Sequence, residues 1–179
     1  MAKSKKISWL IINLLGGTAV IGSYVWGFLA RPDAAGILWG GVPAGIRPFY
    51  TAGMLLAAAG YLVFSYFLLR ADTGEVKVAG RFGFGIFNAL YLLVLIPSAL
   101  WMPLTLLAVD QASALTLWLV RADLALVALA ALGMLFALWN LQPRGPGWKH
   151  ILLILSGLAF CFQTVILDAI VWVAYFRVG

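Results

Sequence analysis

The sequence predicts an all-α fold, a polytopic integral membrane bundle of five transmembrane helices forming one domain over residues 1–179. Three observations carry this reading. Apolar residues make up 64% of the chain and charged ones only 10%, and the mean hydropathy is +1.04; a soluble domain carries about a quarter charged residues. The apolar residues fall into runs at 9–29, 49–69, 84–108, 113–140 and 150–176, each near the ~20 residues a helix needs to cross a bilayer. Lysine and arginine stand mostly at the ends of these runs, where they anchor and orient helices. The net charge of +6 therefore points to the lipid bilayer as partner and not to nucleic acid.

The first run follows Lys3, Lys5 and Lys6 and stops at Arg31-Pro32-Asp33, with Trp9 and Trp26 near headgroup level. Its basic start resembles a secretory leader, but the apolar stretch reaches Leu29, long for such a segment, so it reads as a span. The connection 30–48 mixes Gly and Pro with Ile37, Leu38, Trp39 and Val42. That composition suits either an ordered loop lying over helix ends or a re-entrant segment. In the second run Gly53, Ala57 and Gly60 form a small-residue seam for close helix contact. The stretch 70–81 is the most hydrophilic and is expected to be solvent-exposed.

The third run has no charge but contains Pro97 and Pro103 on either side of Trp101. Each proline removes an amide donor and disturbs the helix. This segment is expected to be irregular, either as a pocket wall or as a kinked packing helix. Asn88 and Tyr91 near its start can hydrogen-bond across helices. Asp110 or Ser113 can cap the fourth helix. Gln163 and Asp168 lie inside the fifth run, where Cys161 reads as small packing filler.

Eight of the twelve lysines and arginines fall on the side of the N-terminal tail, against Arg31, Arg47, Arg121 and Arg177 on the other. The positive-inside rule then predicts a cytoplasmic N-terminus and an external C-terminus, in a bacterial inner membrane. On this topology the candidate ligand-binding residues are Trp39, Arg47, Trp101, Trp118, Arg121, Asp123 and Asp168, gathered toward the outer half. A charge within a span costs at least ~2.5 kcal/mol, so such residues pair or line cavities. Arg121 and Asp168 are expected at similar depth, and three readings stay open: an ion pair locking two helices, Arg121 snorkelling to the headgroups, or polar features of a binding cavity. Trp118 lies on the face of Arg121 and can stack on its guanidinium. Asp123 points elsewhere, with Arg47 as a partner to consider.

Several chemistries are disfavoured. One histidine, His150, cannot supply both axial ligands of a b-type haem, and no His/Cys/carboxylate cluster suits a metal. A Ser-His-Asp arrangement and a glycine-rich phosphate loop are both missing from the sequence. No catalytic residues are assigned, and no cofactor is expected within the chain beyond a bound porphyrin or lipid.

Five spans with eight tryptophans, Gly60-Tyr61-Leu62-Val63-Phe64 closing the second span, and Trp101-Met102-Pro103-Leu104 in the third resemble the tryptophan-rich sensory protein/translocator protein family. Gly45, Pro48 and Phe49 loosely resemble that family's proline-rich entry to its second helix. The resemblance implies a five-helix fold with a pocket roofed by the long first loop, taking porphyrins, sterols and related apolar ligands. The family's asparagine stands close before its Trp-x-Pro, whereas Asn88 stands thirteen residues before Trp101.

Two functions follow, and a third ranks behind them. The first is a binding or sensing protein for a planar apolar ligand, porphyrin-, sterol- or lipid-like, in an outer-half pocket. The second is a non-catalytic accessory subunit packed against a larger membrane complex. The third is an enzyme acting on a lipid or quinone through Asp123 or Asp168. Partners are accordingly the bilayer and either an apolar small molecule or another membrane protein, a second copy of the chain included.

Overall fold

The computed structural model describes residues 2–177. Helix α1 spans Ala2–Ala30, and a short helix α2 (Ala34–Trp39) and a 3-10 turn (Ala44–Ile46) occupy the first connection. Helix α3 is Arg47–Arg70, with Pro48 in its first turn where a missing N–H costs nothing. Helices α4 (Gly85–Gln111) and α5 (Ala114–Trp139) follow. The last crossing is α6 (Gly147–Cys161), a π-helical stretch (Phe162–Trp172) and a final turn α7 (Val173–Tyr175). Five helices are long and apolar enough to cross a membrane. Their outward faces carry side chains such as Leu14, Leu29, Phe49 and Leu115, each at least 70% exposed, which only a lipid environment tolerates in such number.

Two elements differ from expectation. Helix α4 runs without interruption through Pro97 and Pro103, so the irregular backbone is not there. It lies in the fifth crossing, where the π-helical stretch has residues five apart stacked on one another. In lipid the loosened carbonyls of such a stretch need new donors. Tyr50 Oη supplies one to the Leu167 carbonyl, and Thr164 Oγ1 donates to the Phe160 carbonyl at 2.9 Å.

The second difference is the stretch 70–81. Most of its residues are exposed, as expected, but the segment is strand-paired: β1 (Lys77–Val78) pairs antiparallel with β2 (Phe82–Gly83) and with β3 (Leu141–Gln142), in the order β2-β1-β3. Val76, Val78 and Phe84 are buried beneath it and tie it to the helix core. Alternating burial along two-residue strands is too short a signal for the sequence to reveal.

The packing order runs α1 on α4, α4 on α5, α5 on the fifth crossing, and the fifth crossing on α3. The seam of Gly53, Ala57 and Gly60 is buried against that last partner. A Cβ on Gly60 would overlap the Ser156 carbonyl, and one on Gly53 would fall 2.8 Å from Leu167 Cδ1, so both glycines are needed for the approach. Helices α1 and α3 are not in extended contact, and the ring of helices is open between them.

The first connection is ordered and packs on the ends of the helices, one of the two readings its composition left open. Ala34 is fully buried with Met102 and Leu106, and Trp172 Nε1 donates to the Leu38 carbonyl at 2.8 Å. Arg31 bridges Asp33, at 3.1 Å, and Asp110 at the end of α4. Hydrogen bonding from Arg31 holds the Asp33 carboxyl below its ordinary range. Ser113 caps α5 in a reciprocal arrangement with Thr116.

Candidate functional site

The gap between α1 and α3 is the mouth of a cleft of about 1020 Å³. Its walls are Trp9, Asn13 and Tyr24 of α1 and Tyr61 and Ser65 of α3; its back is Ser98 and Trp101 of α4, Leu124 and Val127 of α5, and Gln163, Thr164 and Asp168 of the π-helical stretch. The lining is largely apolar, with a few polar groups converging at the back, which is the usual make-up of a small-molecule site. It extends along α1 from Trp9 to Tyr24, about 22 Å at 1.5 Å per residue. The cleft thus runs along most of the length of α1 and is not confined to one end of the bundle.

Its two ends differ. Toward the N-terminal tail, Tyr61 Oη donates to Asn13 Oδ1 at 2.6 Å, and Tyr91 and Ser65 share a hydrogen bond of 2.6 Å. Around them Tyr61, Phe64, Tyr91 and Phe160 pack as edge-on and tilted rings with centroids 5.5–6.2 Å apart. Toward the α2 connection, the ring of Tyr24 lies 5.8 Å from that of Trp101, and Trp101 stands edge-on to Trp172 at 5.6 Å. Between these aromatics and the middle of the cleft, Gln163 Nε2 donates to Asp168 Oδ1 at 2.7 Å. Gln163 Oε1 and Trp101 Nε1 are buried with no hydrogen-bond partner. The Gln163–Asp168 contact exists because of the π-helical turn; at α-helical pitch residues five apart diverge by about 140°.

Of the seven residues singled out in the sequence, Trp101 and Asp168 line the cleft and the other five stand off it. Arg121 and Asp168 are not ion-paired: among the described residues the salt bridges are those of Arg31. Arg121 instead lies over the ring of Trp118, at 5.1 Å, and Trp118 is 64% exposed on the outward face. That is the stacking the spacing predicted. Arg47 and Asp123 are not paired either. Arg47 Nε donates to the Val42 carbonyl at 3.1 Å and its guanidinium lies 5.3 Å over Trp39, while Asp123 is buried with Oδ2 unpartnered. Trp39 packs edge-on to Tyr50 and does not line the cleft. Asn88 reaches the Lys5 carbonyl of α1, at 3.3 Å.

Sequence reasoning missed Tyr24, Tyr61 and Asn13 as cleft residues. Hydroxyls and amides inside spans are the available signal, but which of them face one gap depends on helix order. Fold and site together define an all-helical integral membrane protein with a laterally open intramembrane cleft. No protein-family model, no curated protein and no solved structure matches the chain.

Proposed function

We propose that the protein binds or senses a planar apolar ligand, porphyrin-, sterol- or lipid-like, that enters from the bilayer between α1 and α3. One observation carries the reading: a cleft of about 1020 Å³ with Trp101 in its wall and buried, unpartnered polar atoms at its back. An apolar ring stacks beside the Trp101 indole, as aromatic pairs do at centroid separations of about 4.5–7 Å. Ligand contact by Trp101 takes place in the outer half if the N-terminus is cytoplasmic, the orientation favoured by the lysine and arginine bias. Kinship with the tryptophan-rich sensory protein/translocator protein family belongs to this proposal and rests on the short motifs at Gly60 and Trp101.

The test uses octaethylporphyrin, which has no carboxylates, titrated into the protein in lipid nanodiscs. Tryptophan fluorescence is quenched saturably, and W101L weakens binding by roughly three- to tenfold. W148L has little effect, because Trp148 is exposed at the opposite end of the bundle and outside the cleft. Equal effects of the two substitutions, or quenching that never saturates, would instead favour an accessory subunit of a larger membrane complex.

A further inference from the structure

We propose that the back of the cleft recognises a protonated amine carried on a planar apolar body, with Asp168 as counter-ion and Gln163 and Trp101 as flanking contacts. The inference rests on the binding reading above and fixes the chemistry of the ligand's head. Asp168 is half-buried and lines the cleft, so it is reached from the cleft. It accepts one hydrogen bond, from Gln163, and among the described residues no lysine, arginine or histidine lines the cavity with it. The two arginines singled out in the sequence as candidate site residues, Arg121 and Arg47, are each stacked on a tryptophan and do not line the cleft. An intramembrane carboxyl group left this way is a site for a cation that the chain itself does not supply.

Three further features select an ammonium group. Gln163 is 96% buried, being only 4% exposed, and its Nε2 fixes one oxygen of the carboxylate while its Oε1 packs toward Gly53 of α3. An ammonium has three donors and no acceptor, so a positioned carboxylate, an acceptor-only group, suits it. Trp101 and Tyr24 present aromatic rings at the same end of the cleft, and a cation is attracted to such ring faces. The proton count closes on either side. Ammonium with carboxylate and amine with carboxylic acid hold the same proton, and both are neutral and hydrogen-bonded. A carboxylate ligand, by contrast, meets a like charge at Asp168 and no cation to offset it.

The experiment compares 1-pyrenemethylamine, 1-pyrenemethanol and 1-pyrenecarboxylate, which share one planar body. Each is titrated into the full chain in phosphatidylcholine nanodiscs, with empty nanodiscs subtracted and energy transfer from tryptophan to pyrene as readout. The amine binds about tenfold or more tighter than the alcohol, as a charge-assisted contact requires, and the carboxylate binds worst. D168N lowers the amine to the level of the alcohol and leaves the alcohol unchanged. D123N, which removes a buried acidic group outside the cleft lining, keeps the amine preference. Equal affinity of amine and alcohol in the wild-type chain overturns the inference while the binding reading stands, and this comparison needs no variant to fold. So does an amine preference that survives D168N or is lost in D123N. If no pyrene probe saturates, or W101L changes none of them, the binding reading itself falls and the amine site with it.

Discussion

The tail-side and loop-side ends of the cleft are built from similar residues but are satisfied differently. At the tail side, Tyr61 pairs with Asn13 and Tyr91 with Ser65 inside a cluster of rings, while Trp9 Nε1 and, next to Lys5, Asn88 Oδ1 are left over among the described residues. At the loop side, Gln163 Oε1 and Trp101 Nε1 have no partner and Asp168 has one. Buried polar groups in proteins are ordinarily paired, and those that are not ask for an explanation. The tail-side end reads as a plug that holds the helices. The loop-side end reads as a place prepared for something the chain does not contain.

The comparison is broken most forcefully at the plug. Phe64 is fully buried among Tyr61, Tyr91 and Phe160, so F64A should cost about 3–5 kcal/mol. Thermal melts in detergent check the loss, and binding by the protein that remains folded should keep its W101L sensitivity. If W101L proves as destabilising as F64A, the two ends do not differ in role. G60A comes next, because its methyl group would meet the backbone carbonyl of Ser156 and not a movable side chain. About 1–3 kcal/mol is expected from such overpacking, read again as a lower melting temperature.

A double-mutant cycle sharpens the loop-side end. Q163L and D168L should couple by about 0.5–3 kcal/mol, because the two side chains share a 2.7 Å hydrogen bond. R121L and D168L should instead add within about 0.3–0.5 kcal/mol, since the two groups share no contact. Strong coupling between Arg121 and Asp168 would mean that the arginine swings inward, closing the amine site.

The smallest effect is at the Arg31 latch, which lies outside the spans. The folded-state value of Asp33 is depressed by Arg31, so its contribution is present above the unfolded value of about 3.9 and lost as pH falls through the lower folded value. Hydrogen exchange at the Gly36 and Ile37 amides, which bond to the Asp33 carbonyl, should quicken only on that acid side. Unchanged exchange down to and below the usual carboxylate range would show that α2 is held by Ala34 and Trp172 alone.

Much of the architecture was legible because lipid leaves few choices. Backbone groups must be satisfied within the segment, so an apolar run of sufficient length is a helix. The positions of the five helices, the Ser113 cap, the buried seam of Gly53, Ala57 and Gly60, and the stacking of Arg121 on Trp118 all follow from spacing along one chain segment. Pairing between segments was beyond it. Arg121 and Asp168 are expected from the spans at a similar depth, but depth does not fix azimuth, and an indole three residues away on the same helix is a ready partner. Only the tertiary structure decided that the ring of helices opens between α1 and α3. It also placed the backbone irregularity at Phe162–Trp172 and not at the prolines of α4. Proline announces itself in sequence, whereas a π-helical turn is paid for by partners such as Tyr50, which come from elsewhere in the chain and are seen only once the helices pack.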